Sequence, residues 1–144
     1  IYTDFTYEKG ATDVGTPVAE AFAKRRGVCQ DFAHVMVGCL RSVGVPARYV
    51  SGYLVTRREP GSVRLVGSDE SHAWAAIYAL EHGWIGFDPT NDLVPSTEHV
   101  TVAWGRDYSD VSPVKGVTLG GGEHTVEVLV DVEARDREAL PRIR

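Results

Sequence analysis

The stretch from Gly27 to Tyr53, GVCQDFAHVMVGCLRSVGVPARYVSGY, limits the fold more than any other part of this chain. Apolar residues fall at Cys29, Phe32, Ala33, Met36, Leu40 and Val43. That spacing of i, i+3, i+4, i+7, i+11 and i+14 is one stripe of an α-helix. Val35, Val37 and Cys39 occupy the other faces, which predicts a helix buried on most sides. Gly27 marks its start, Asp31 places a carboxylate in the first turn and Arg41 a cation in the last, as the macrodipole prefers. Gly44 supplies a left-handed cap and Pro46 prevents continuation, so a strand over 47–55 follows. Cys29 therefore falls at the N-terminal tip of a central helix, where free N–H groups and the positive dipole end stabilise a thiolate. Cys39, deep in the same helix, reads as a buried structural thiol. His34, five residues past Cys29, lies about 140° round the helix and cannot serve that thiol.

A chain of 144 residues suits one domain with its own core. It divides into a lead-in segment with a short helix over 1–28, a core over 29–132 and a charged tail over 133–144. Thr16 before Pro17 predicts an N-cap and first turn, with the helix running to Lys24. Residues 56–71, rich in charge and containing Pro60, read as a long loop. Strands are expected over 72–78, 83–88, 100–105 and 125–132, with the glycines at 120–122 marking a sharp connection.

The segment SHAWAAIYALEHGWIGFDPT reads as a β-hairpin. Centred on Leu80, it sets His72 opposite Asp88, Trp74 opposite Gly86 and Ala76 opposite Trp84, with a loop over 78–82. Directly opposed side chains have Cβ atoms about 5 Å apart, which lets a carboxylate hold an imidazole N–H. The period of two puts His72, Trp74, Gly86 and Asp88 on one face. An Asp-bonded His is as often structural as functional. Together with a thiol at a helix tip, it forms a set able to pass a proton from Cys to His while Asp fixes the imidazole. Pro89 forces an extended backbone at Asp88 and ends the strand.

GVCQDFAH, SHAW and GFDPTN, in that order, resemble the core of the transglutaminase-like superfamily, most closely its bacterial cysteine-protease branch. PARYVSGYL and GRDYSDVSPVKG resemble the same branch, so the likeness spans roughly residues 10–132. It implies a catalytic triad of Cys29, His72 and Asp88 on a papain-like α+β fold, the Cys-bearing helix packed on an antiparallel sheet. The family core carries a further helix ahead of the position of Ile1, and this branch often an upstream β-rich domain. The resemblance thus implies a fragment of a longer protein.

The resulting expectation is cysteine-dependent acyl transfer on a protein or peptide amide, through a thioester resolved by water. The alternatives are resolution by an amine, as in a transglutaminase, and an inactive peptide-binding module of the same fold. The Cys29 backbone N–H is the first oxyanion donor, and Gln30, Tyr53 and Trp74 are candidates for the second. Asp31 is expected to bond backbone or an arginine. His82, His99 and His124 read as loop, strand-end or surface residues, and Arg48, Arg57 and Arg58 as solvated strand ends. No metal or other cofactor is expected, since zinc and calcium spacings are absent. With 15 basic against 20 acidic residues and no basic cluster, nucleic acid is not an expected partner. No apolar run reaches the roughly 20 residues that span a bilayer. Cys29 and Cys39 would stand about 15 Å apart along the helix, too far to bond, and free thiols suit a cytoplasmic location.

Overall fold

In the computed structural model, which describes residues 1–55, 66, 71–113, 116, 119–121 and 130–132, the apolar stripe forms helix α2 (Cys29–Ser42). Its N-cap, Val28, has no polar side chain, and Asp31 compensates: its Oδ2 accepts the Val28 N–H at 2.8 Å and the Thr12 hydroxyl at 2.6 Å. At the other end Gly44 adopts φ +80°, the Gly44 N–H reaches the Arg41 carbonyl and the Val45 N–H reaches the Leu40 carbonyl. This is a Schellman closure, which releases the chain into β3 (Ala47–Leu54).

Three more strands complete an antiparallel sheet: β4 (His72–Ala79), β5 (Gly83–Phe87) and β6 (His99–Gly105), in the order β5-β4-β3-β6. Tyr49 pairs with Ala75 and Ser51 with Ala73, so Ala47, Tyr49, Ala73 and Ala75 share the face that meets α2. Alanines there let the helix approach closely, and Cys29, Ala33 and Val37 pack against them. The opposite face carries a second cluster of Val50, Trp74 and Ala76. Fully burying residues such as Leu54 or Phe32 contributes about 1.5–3 kcal/mol each. A short helix, α1 (Val18–Lys24), leans on α2, and two two-residue strands, β1 (Thr6–Tyr7) and β2 (Arg26–Gly27), pair in parallel. A single-turn helix, α3 (Tyr108–Val111), follows β6.

Three expectations need correction. The hairpin is centred on Glu81 rather than Leu80, with Ala76 opposite Gly86 and Tyr78 opposite Trp84. The cause is Gly83: at φ +73° it closes a three-residue loop, with the His82 N–H bonded to the Ala79 carbonyl. Because the shift is a whole residue, the face parity survives and Asp88 lies diagonal to His72 instead of opposite. A Cβ at Gly86 would press on Pro95, 3.0 Å from its Cγ, and meet the Trp74 indole Nε1 only at 3.4 Å, so the small residue makes room for Pro95 more than for Trp74. Second, Pro17 and not Thr16 is the cap residue of α1, because the Thr16 hydroxyl is engaged with Asp13. Third, Cys39 is exposed. Burial along α2 stops at Val37, and Cys39 projects from the sheet-averted side beside Val18, Phe22 and Ser42.

The loop expected over 56–71, the strand over 125–132, the tail over 133–144, and Arg57, Arg58 and His124 lie outside the described residues, apart from Val66, Ser71 and residues 130–132. Among the described residues no helix is long and apolar enough to cross a membrane.

Candidate active site

Cys29 opens α2 at the floor of a cleft of about 220 Å³ and is 8% exposed. Tyr7, Gln30, Tyr49, Ser51, His72 and Tyr108 line the same cleft. Alternation along β4 sends Ala73 and Ala75 toward α2 and would turn His72 away. As the first residue of the strand, however, His72 stands at the sheet's end, level with the tip of α2, and its ring borders the cleft.

The two ring nitrogens of His72 face different partners. Nε2 lies 2.8 Å from Asp88 Oδ2, and both side chains are fully buried. Nδ1 makes no hydrogen bond to any of the described residues. With Nε2 committed to Asp88, Nδ1 is the ring nitrogen left for the Cys29 thiol, whose Sγ lies 3.9 Å from the Ser71 carbonyl oxygen. Burial opposes charging of His72, yet the hydrogen bond to Asp88 and the nearby Cys29 thiol outweigh it and raise its pKa to about 9.

Asp88 holds the centre of this network. Oδ1 accepts the backbone N–H groups of Thr90 at 2.9 Å and Asn91 at 3.3 Å. Oδ2 accepts the Asn91 side-chain amide at 2.8 Å, His72 at 2.8 Å and His99 at 3.1 Å. Burial pushes its pKa up, but the bonds from His72, His99 and Asn91 prevail and hold it well below the usual carboxylate range. The carboxylate is ionised, and both imidazoles must present Nε2–H to it.

His99 was expected at the surface or a strand end. It is indeed the first residue of β6, but its side chain is only 2% exposed and its ring stands edge-on to Trp74 at 5.2 Å. The sequence gives no hint of this, because β6 reaches β4 only through β3.

The oxyanion candidates separate. Gln30 lines the cleft, with its amide donating to the Val14 carbonyl at 3.3 Å. Trp74 and Tyr53 are not among the lining residues; Trp74 stacks on His72 from the sheet side, at 6.0 Å and 29°. A helix start leaves its first N–H groups without intrahelical partners, and Val28, Cys29 and Gln30 at the start of α2 all line the cleft. Sequence reasoning missed Tyr7, Tyr49 and Tyr108 as cleft walls. Tyr49 was legible as an inward position of β3, and burial followed by the nearby thiol raises its phenol pKa. Asp31 bonds backbone, as expected, and His82 is exposed in the hairpin loop. His34 turns from Cys29 and stacks on Tyr49 at 4.7 Å, with Nε2 accepting the Tyr108 N–H at 3.1 Å.

His72, Asp88 and His99 offer three ligand atoms within 4.8 Å of one another. The 2.8 Å between Nε2 of His72 and Oδ2 is nevertheless a hydrogen-bond length. Ligands on a tetrahedral zinc with bonds of about 2.0–2.2 Å stand roughly 3.3 Å apart.

Comparison with known proteins adds a family context. The sequence profile of the transglutaminase-like superfamily matches residues 1–89, a span that contains Cys29, His72 and Asp88 and stops short of His99. An uncharacterized protein of Mycobacterium tuberculosis is 45% identical over 145 residues, covering 97% of this chain and 46% of that protein. The chain thus spans about half the length of its mycobacterial relatives. A Pseudomonas aeruginosa protein named protein-glutamine gamma-glutamyltransferase is 39% identical over 75 residues, 51% of this chain and 11% of that one. A crystal structure from Cytophaga hutchinsonii, named a "Putative Cysteine Protease", matches with TM-score 0.62 and 34% identity over 77% of this chain and 35% of that one.

Proposed function

The chain belongs to the transglutaminase-like superfamily, and on that premise we propose that it is a cysteine-dependent acyl-transfer enzyme that hydrolyses protein or peptide amides. One observation carries the reading: Asp88 takes Nε2 of a buried His72 and leaves Nδ1 for a thiol at a helix tip. The Cys29 thiol proton passes to His72 Nδ1, and the resulting thiolate attacks the amide carbonyl. The oxyanion develops beside the free N–H groups at the start of α2. Collapse breaks the C–N bond, His72 returns its proton to the leaving amine, and a Cys29 thioester remains. His72 then takes a proton from water, the thioester is cleaved, and acid is released with the thiol regenerated. Asp88 holds the ring orientation and the Nε2–H tautomer throughout.

Resolution by an amine in place of water has its own support in the likeness to the Pseudomonas glutamyltransferase over 75 residues. Two free thiols, Cys29 and Cys39, suit the reducing compartment expected of a cytoplasmic protein.

The test is intact-mass spectrometry after mixing with p-nitrophenyl esters of acylated amino acids, with Cys29→Ala as control. The reading requires a transient acyl adduct that maps to Cys29 and decays in water, with the amine product measured on adding a primary amine. No adduct on Cys29 under any condition would leave an inactive binding module of the same fold.

A further inference from the structure

We propose that His99 shares Asp88 with His72 and thereby limits how tightly the carboxylate holds the His72 proton. The inference rests on the acyl-transfer reading above and assigns a further positioning residue to that site.

Three N–H donors converge on one oxygen, Asp88 Oδ2: His72 and the Asn91 amide at 2.8 Å, and His99 at 3.1 Å. Donors on the same acceptor compete for its charge, so each one weakens the pull on the others. Among the described residues, Asp88, His72 and Trp74 face His99. Asp88 meets it from beyond the end of β5, His72 from β4 at 6.2 Å between ring centroids, and the Trp74 ring from the same strand. Cys29 lies one step further, across His72. The Nδ1 of His99 is buried, with no partner among the described residues. A histidine serving only to fill space would not aim one nitrogen at a carboxylate already committed to the site.

The arrangement answers a chemical need. His72 must accept the thiol proton and then release it to the leaving amine. A carboxylate bonded to His72 alone would make the imidazolium easy to form and slow to discharge. With His99 on the same oxygen, Asp88 stays ionised and fixed in direction but pulls less on His72. Supporting this, the bond from His99 is among the causes that hold the Asp88 pKa down.

The experiment is a ¹⁵N-imidazole NMR titration of the intact chain. In the wild type at neutral pH, His99 must be the Nε2–H tautomer; an Nδ1–H tautomer overturns the proposal without any variant. His99→Phe keeps a ring against Trp74 but has no donor, and its His72 titration midpoint should rise by about half a pH unit or more. His99→Gln, which restores an N–H at a similar reach, should return the midpoint close to wild type. If His99→Phe does not fold, His99→Leu gives the same comparison in less volume. An unchanged or lowered midpoint in the donor-free variant, or a Gln variant that behaves like Phe, refutes the sharing. Cys29 alkylation measured alongside separates the two readings. A wild-type Cys29 no faster than Cys39 would sink the acyl-transfer assignment while the His72 shift still stood.

Discussion

Replacing Asp88 by Asn changes one atom and should remove most of the activity. The fixed part of the site decides how the amide turns. Oδ1 accepts two backbone N–H groups, from Thr90 and Asn91, so the Asn oxygen belongs there and its NH₂ must face His72, His99 and the Asn91 amide. His72 Nε2 can then only accept, which moves its proton to Nδ1, where it faces Cys29 and blocks proton removal. The rise of His72 from 6.5 to about 9 corresponds to about 3 kcal/mol in favour of the charged ring, and Asp88 is the larger of its two hydrogen-bond causes. Losing that share alone costs on the order of 10-fold to 10²-fold in ion-pair formation, and the wrong tautomer extends the loss toward about 10⁴-fold, as in other Asp-to-Asn triads. The variant should also lose about 1–3 kcal/mol of stability for donors left facing donors. Pre-steady-state release of p-nitrophenolate from an activated ester reads the acylation step directly, with circular dichroism confirming the fold. An Asp88→Asn protein that acylates within threefold of wild type would refute the role given to Asp88.

Stability should follow the same pair. The raised His72 contributes stability that is complete below pH 6.5 and lost as pH climbs through about 9, while the lowered Asp88 contributes stability lost as pH falls below about 3.8. Melting temperature should therefore peak between about pH 4.5 and 6.5 and fall on the alkaline side; a rise from pH 6.5 to 9 would contradict the assignment. Gly52→Ala should cost about 1–3 kcal/mol and slow acylation, because the new Cβ would meet the Val100 carbonyl and lie 2.7 Å from Trp74 Cη2, behind the ring that supports His72. Chemical denaturation measures the first effect, and a variant as stable as wild type would show that the bulge at Ser51–Gly52 can open. Dialysis against a chelator should leave Cys29 alkylation within about twofold, given hydrogen-bond spacing among His72, Asp88 and His99. A large loss would mean that a metal is held there.

What could be read from the residues, and what could not, divides along local and distant causes. The stripe from Cys29 to Leu40, the Gly44 closure and the strand after Pro46 depend on neighbours in sequence and lie where the pattern puts them, whereas Val43, placed on the same stripe, is the exposed C-cap. The hairpin was legible in existence and face but not in register, because one left-handed residue, Gly83, decides the loop length. Its parity survived, so the adjacency of His72 and Asp88 was recovered for a slightly different geometric reason. Cys39 misled because periodicity says that a helix face is apolar, not that something covers it. His99 was invisible: its meeting with Asp88 depends on the strand order β5-β4-β3-β6, which no local signal encodes. Trp74 shows the same limit. It was a candidate oxyanion donor, but the packed sheet places it behind His72 and outside the cleft lining.

The central claim is that Cys29 and His72 form an ion pair, and the pH dependence of alkylation tests it most directly. Iodoacetamide labelling is followed at each cysteine by mass spectrometry, in the wild type and in His72→Ala, with the exposed Cys39 as internal reference. The account predicts that Cys29 reacts well below about pH 7, where Cys39 does not, and that the advantage disappears in His72→Ala. A Cys29 that follows the Cys39 profile in the wild type, or keeps its low-pH reactivity without His72, would contradict it.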